Sequence, residues 1–167
     1  MPSATAGQPS RWPRRLGVAA LAMLAALVLI QLVPFGHEHT NPAVQAEPLW
    51  DSPATRALAV RACFACHSNQ TRWPAYSNLA PVSWLVQRDV NDGRARLNFS
   101  QWGQPQRAAR RAGRAVQEAK MPPNYYQWLH GEAQLTDAER QQLAQGLTAT
   151  FAQSPPGATA RLSLIHI

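Results

Sequence analysis

Only two cysteines, Cys63 and Cys66, and a single lysine, Lys120, occur among the 167 residues. Two cysteines exclude a scaffold of several disulfides and cannot complete a four-cysteine zinc site. Charge is also sparse. With 15% of residues charged and 46% hydrophobic, a wholly disordered polyelectrolyte is excluded. No alternating apolar–polar run of useful length is present, so no half-buried sheet is predicted. What the chain has in quantity is proline, fourteen in all, and tryptophan, six. Each proline removes a backbone donor and fixes φ, which argues against a large regular sheet or a long coiled coil.

The formal charge of +7 divides unevenly. Arg11, Arg14 and Arg15 precede an apolar run. From Pro34 onward the count is 13 basic against 9 acidic residues, or +4. Such a mild, dispersed excess does not make a nucleic-acid face, so no nucleic-acid partner is predicted. Arg107, Arg110, Arg111 and Arg114 form the one cluster, and their spacing puts them on one side of a helix. That face is either simply solvated or a docking surface for an acidic partner.

Leu16 to Val33 reads LGVAALAMLAALVLIQLV, eighteen residues without a charge. As a helix this stretch spans roughly 27 Å, close to the ~30 Å of a bilayer's hydrocarbon core. Residues 16–33 are therefore expected to be a transmembrane anchor, with basic residues 1–15 on the cytoplasmic side and the remainder exported. The competing reading is a cleaved signal peptide. Val44-Gln45-Ala46 could pass as its cleavage site, but it lies ten residues or more beyond the apolar run, which favours retention. Residues 34–51 carry prolines and no apolar period, so they read as a linker or an extended arm, with His37 and His39 as ordinary exposed histidines.

Residues 52–152 read as a mostly α-helical domain. Ser52-Pro53 is a helix start, predicted to lead one helix through Cys66. Further helices are expected from Val82 to about Asp92, stopped near Gly93, and from Pro105 to Ala119. A last helix should open at Thr136-Asp-Ala-Glu139, a capping box, and run to about Phe151. The tryptophans, spread over every connection, suggest flat packing around a central object, although core filling would also account for them. Residues 153–167, with Ser154-Pro155-Pro156-Gly157, read as a disordered tail, and His166 is given no role.

The string Cys63-Phe64-Ala65-Cys66-His67 concentrates the chemistry. On a helix, positions i and i+3 face one way and i+4 is adjacent. Two thiols can thus meet the two vinyl groups of a haem while the next imidazole reaches its iron, the C-x-x-C-H signature of covalent haem c attachment. Zinc would lack a fourth ligand. A thiol–disulfide oxidoreductase would place the pair at a helix N-terminus within a βαβ pattern, and neither is predicted. A structural disulfide would leave His67 unexplained. Met121, between a helix and Pro122-Pro123, is the candidate second axial ligand; His130 is its rival, and core filling is the bland reading of the methionine.

These residues sit in a wider series. CHSN at 66–69, Trp73-Pro74, Tyr76-Ser77, Ala80-Pro81 and Ser83-Trp84 are followed by Gly93-Arg94, Leu97-Asn98-Phe99-Ser100 and Trp102. Met121-Pro122-Pro123, Tyr126, Leu129-His130 and Leu135-Thr136 complete it. From about Pro34 to Phe151 the chain resembles the bacterial haem-binding domain family of cytochrome-c-like exported proteins. The resemblance implies an N-terminal anchor, a periplasmic all-α domain, haem held by Cys63 and Cys66 with His67 as proximal ligand, and Met121 as distal candidate. Gly131 stands where the family often has proline, and Ala75 where it often has an aromatic; these departures weaken any role for His130. The function expected is a membrane-tethered monohaem electron carrier with a redox protein partner, not an enzyme, since no nucleophile, general base or carboxylate pair surrounds the motifs. A haem enzyme or gas sensor with an exchangeable distal site is the alternative, and a thiol oxidoreductase the weaker one.

Overall fold

The computed structural model describes residues 12–157, and among these the chain forms seven α-helices and no strand, as an all-α reading requires. The helices are α1 (Trp12–Ile30), α2 (Pro53–Ala62), α3 (Phe64–His67), α4 (Val82–Arg96), α5 (Ala109–Gln117), α6 (Asn124–Leu129) and α7 (Asp137–Gln153). Residues 1–11, and residues 158–167 with most of the expected tail and His166, lie outside this description.

Local chemistry sets two helix starts. Ser52 Oγ accepts the Thr55 N–H at 3.1 Å and Pro53 occupies the first turn, opening α2 where its missing donor does no harm. The capping box at α7 is formed: Thr136 Oγ1 accepts the Glu139 N–H at 3.2 Å, and Glu139 Oε2 accepts the Thr136 N–H at 2.9 Å.

The single helix expected through Cys66 is two. α2 ends at Ala62, Cys63 takes φ −125°, and α3 is one new turn. Hydrogen bonding survives the break, because the Cys63 carbonyl accepts from both Cys66 N–H (3.2 Å) and His67 N–H (2.9 Å). α4 does not stop at Gly93 but runs on to Arg96. α5 starts later than Pro105, because the Gln106 side chain holds that segment as a turn, accepting the Asn98 N–H at 2.8 Å and donating to the Gln101 carbonyl at 2.9 Å.

Phe99 is the centre of the core. Trp50, Phe64, Trp102 and Phe151 surround it at centroid distances of 5.2, 5.4, 6.1 and 6.3 Å, and Leu143 and Leu147 are buried beneath. Each such side chain removed from water contributes roughly 2 kcal/mol. α5 crosses α7 at Gly113, where a β-carbon would sit 2.7 Å from both the Ala144 carbonyl and Thr148 Oγ1.

Residues 34–51 are an arm laid along the domain. The Ser100 carbonyl accepts from Gln45 N–H and Ala46 N–H at 2.9 and 3.2 Å, and the Ala46 carbonyl accepts from Trp102 N–H at 3.0 Å. His39 is more than an exposed linker residue: its ring stacks on Trp73 at 4.5 Å. Past α7, the Trp102 indole donates to the Ser154 carbonyl at 2.8 Å and the Gly157 N–H to the Trp102 carbonyl at 3.0 Å, so residues 154–157 are bound to the core.

The apolar segment differs from expectation at both ends. α1 begins at Trp12 and stops at Ile30, while Gln31 to Val33 form a turn. Its uncharged part, 16–30, is about 22 Å long, short of a ~30 Å hydrocarbon core. Among the described residues no helix is long and apolar enough to cross a membrane. α1 is nonetheless apolar on all sides and exposed from Leu16 to Leu29. Its end is fixed to the domain: the Gln31 amide donates to the Ala80 carbonyl at 3.0 Å and accepts the Ala80 N–H at 2.9 Å.

Candidate functional site

α3, α4 and the loop after α5 enclose a cavity of about 190 Å³, and Cys63, Cys66, His67 and Met121 all line it. The structure thus brings together the four residues singled out in the sequence, two from a kink and one helical turn, one from that turn's end, one from a proline-stiffened loop.

His67 is oriented by α4. Its Nδ1 lies 3.1 Å from the Gly93 carbonyl oxygen and 3.0 Å from that of Leu97. Both are acceptors, so Nδ1 carries the hydrogen and Nε2 keeps its lone pair. Among the described residues no hydrogen-bond partner reaches Nε2. Burial lowers the His67 pKa against the two carbonyl hydrogen bonds, which raise it, so the imidazole is neutral at pH 7. A neutral ring held at one nitrogen by backbone carbonyls is the form in which histidine ligates metals.

The thiols are free, partly buried and hard to ionise. Burial, then the neighbouring Cys66, pushes Cys63 up to about 12; burial, then Asp89, pushes Cys66 up to about 11 despite Arg94. Redox-active cysteines need the opposite shift. The zinc reading gains nothing either: among the described residues no three His, Cys, Asp or Glu side chains cluster to hold a metal ion.

Met121 is placed by the end of α5. The Ala119 N–H donates to the Val116 carbonyl at 3.0 Å and the Lys120 N–H to the Ala115 carbonyl at 2.9 Å, with Ala119 left-handed at φ +54°. This pair of bonds is a Schellman closure with alanine in glycine's usual place. It turns the chain so that the Met121 side chain, 38% exposed, meets the cavity. His130 is elsewhere, in an adjoining lobe of about 80 Å³. Its Nε2 lies 2.6 Å from the Tyr76 hydroxyl, its Nδ1 3.0 Å from Glu132 Oε1, and its ring stacks on Tyr126 at 4.1 Å. With both nitrogens engaged in the smaller lobe, His130 is the poorer candidate for a ligand.

Several lining residues carry no signal in the sequence. Asp89 and Arg96 look like ordinary helix residues, yet both line the main cavity. Tyr125 donates its hydroxyl to Asp89 Oδ2 at 2.8 Å, joining α6 to α4 where the two lobes meet, and burial with that carboxylate pushes its pKa up to about 12. No tryptophan lines either lobe, so the expectation of indoles around a central object is corrected: Trp50 and Trp102 fill the core, and tyrosines take the place beside the cavity.

Behind His67 lies a buried amide network. Asn98 donates to Asn69 Oδ1 at 2.8 Å, Asn69 N–H to Ser100 Oγ at 2.9 Å, and Ser100 N–H to Asn98 Oδ1 at 2.9 Å. The Phe99 N–H closes it on the His67 carbonyl at 2.8 Å. Arg94 adds bonds to Ser68, Thr40, Asn41 and Thr71, tying arm, motif and α4 together. A satisfied polar network of this kind rigidifies what it surrounds.

The donor set fits a covalently held haem. Two thiols, one free imidazole lone pair and one thioether border an otherwise mainly apolar and aromatic crevice. Residues 25–149 match the sequence model of a family described as a haem-binding domain. No curated protein and no solved structure matches the chain.

Proposed function

The chain belongs to the haem-binding domain family and is a haem-binding protein, and from this premise we propose that it is a membrane-tethered, periplasmic c-type electron carrier. Cys63 and Cys66 would hold haem c through thioether bonds, and His67 Nε2 and the Met121 sulfur would be the ligands offered to its iron. Haem supplies a one-electron ferrous–ferric couple. The chain's part is to keep the His67 tautomer fixed through Gly93 and Leu97, to present the Met121 sulfur from a stiff loop, and to line the crevice with the rings of Tyr125 and Tyr126. Axial histidine and methionine raise a haem potential and leave no open coordination position, which suits electron transfer more than catalysis.

The observation that carries this reading is the convergence of Cys63, Cys66, Met121 and the unpartnered His67 Nε2 on one cavity. Tethering rests on α1, whose all-round apolar exposure is what a helix in lipid presents. Its short uncharged stretch is extended by Arg14 and Arg15, whose stems can reach back to the headgroups. The same arginines favour a cytoplasmic N-terminus and so a periplasmic domain.

Expression beside a haem-attachment system, followed by intact mass and a reduced-minus-oxidised spectrum, tests the proposal. A mass increase of one haem and a low-spin spectrum are expected; a colourless chain of bare polypeptide mass overturns it. The exposure of Met121 favours one second reading, an exchangeable distal position as in a gas sensor, and rapid carbon monoxide binding by the ferrous protein would select it.

A further inference from the structure

We propose that the domain lies with one apolar face on the lipid surface, at the root of α1, so that the smaller lobe of the crevice opens at headgroup level. The inference rests on the reading of α1 as a bilayer anchor and adds to it how the domain is held.

A tether followed by a loose linker would let the domain swing. Here the linkage is short and bonded. Gln31, the first residue after α1, exchanges two hydrogen bonds with the backbone of Ala80. Gly36, at φ +90°, then lies against Ser83, with a β-carbon there only 2.8 Å from the Ser83 carbonyl carbon. The segment around Ala80 is therefore held where α1 leaves the lipid.

That segment carries exposed apolar side chains. Leu79 is 62% exposed, and Val82 and Leu85 are exposed on the first turns of α4. Val82 and Leu85 line the smaller lobe together with Leu129 of α6. α6 buries no residue in the domain, and leaves Trp128 81% and Leu129 67% exposed. Neither 79–87 nor 122–129 contains an acidic or basic residue. An exposed apolar patch of this kind marks a contact surface, and tryptophan beside leucine without charge is the composition of a membrane interface. Continuity with α1 decides in favour of lipid over a protein partner. An apolar stretch about 8 Å short of the hydrocarbon core also draws its flanking structure toward the bilayer.

The test uses the full haem-loaded chain in nanodiscs of phosphatidylcholine carrying a headgroup-proximal diazirine, with labelled peptides mapped by mass spectrometry. Labelling of the peptides containing 79–85 and 124–129, along with α1, and no labelling of the peptide containing Arg110 to Arg114, is expected. Labelled α1 with both patch peptides unlabelled overturns the proposal and leaves the anchor intact. An unlabelled α1 with an unlabelled patch overturns both. The variant Trp128→Ser changes only an exposed side chain that lines neither lobe, so it should keep its haem spectrum and lose most of the labelling at 79–85; undiminished labelling also overturns the proposal.

Discussion

Gly93 lies directly against Cys66: a β-carbon at Gly93 would strike the Cys66 carbonyl oxygen and sit 3.0 Å from its carbonyl carbon. The same glycine supplies one of the two carbonyls that hold His67 Nδ1. Gly93→Ala therefore separates α4 from the cysteine motif and misplaces the imidazole in one step. A loss of about 1–3 kcal/mol of stability is expected, as for other overpacked sites, together with a lower haem-loaded fraction. Urea unfolding and the ratio of haem absorbance to protein check it; an unchanged midpoint and full loading would show that the helix yields without consequence.

Met121 and His130 are separated by the geometry. Met121 lines the cavity of the cysteine motif, whereas His130 is occupied by Tyr76 and Glu132. Met121→Ala should convert a low-spin spectrum to high-spin, abolish the methionine–iron charge-transfer band and lower the midpoint potential. His130→Ala should leave spectrum and band unchanged. The reverse pattern would assign the distal position to His130.

Caps and chemistry-bearing strings were the legible parts of this chain, because their physics is local. Ser52-Pro53 and Thr136 with Glu139 act within four residues, and both form as read. Gly93 misleads as a helix stop because its use is tertiary: a mid-helix glycine, at a cost of about 1 kcal/mol, allows two backbones to touch. The break at Cys63 has no proline or glycine to announce it. α6 has no buried residue and hence no apolar period. Tryptophan content says that flat surfaces are packed, and not against what; here Phe99 receives Trp50 and Trp102, while Tyr125 and Tyr126 stand at the crevice.

Ala119 at φ +54° occupies a conformation that disfavours any residue with a β-carbon, by about 1–2 kcal/mol. Ala119→Gly relieves this while adding some unfolded-state entropy, so a net stabilisation of about 1 kcal/mol is expected. Because the closure before Met121 is preserved, the haem spectrum should not change. Chemical denaturation of the haem-loaded protein measures the gain; a destabilised variant would contradict the left-handed assignment.

Glu47 gives the fold an acid-sensitive component. Its carboxylate accepts from Arg56 Nε and Nη2 at 2.8 and 2.9 Å and from the Trp50 indole at 3.0 Å, and the Arg56 bonds, against burial, hold its pKa below the usual 4.5. A carboxyl with a depressed folded-state pKa stabilises the native state above its unfolded value, and that contribution is lost as pH falls through the folded one. Arg56 is half exposed, so screening limits the effect to about 0.5 kcal/mol. Glu47→Gln should therefore lower stability at pH 7 by that amount and flatten its fall below pH 4.5. Equal stability curves for variant and wild type across this window would mean that the pair contributes nothing.

Arg110, Arg111 and Arg114 are exposed on α5, while Arg107, expected on the same helix, lies in the turn before it because α5 starts only at Ala109; none of the four forms an ion pair among the described residues. Four positive charges within residues 107–114, offset only near Arg114 by Glu118, raise the local potential, and a transient redox complex gains its association rate from such a field more than from buried area. Replacing Arg110 and Arg111 by glutamate cancels the charge of this cluster, leaving Arg107 and Arg114 against two carboxylates, without touching the core or the crevice. Reduction by an acidic physiological donor should then slow about tenfold at low ionic strength. The difference should vanish near 1 M salt, where the screening length falls to about 3 Å. Stopped-flow reduction across a salt series separates the cases: a rate insensitive to both salt and charge reversal would remove α5 from the docking surface and leave the haem site untouched.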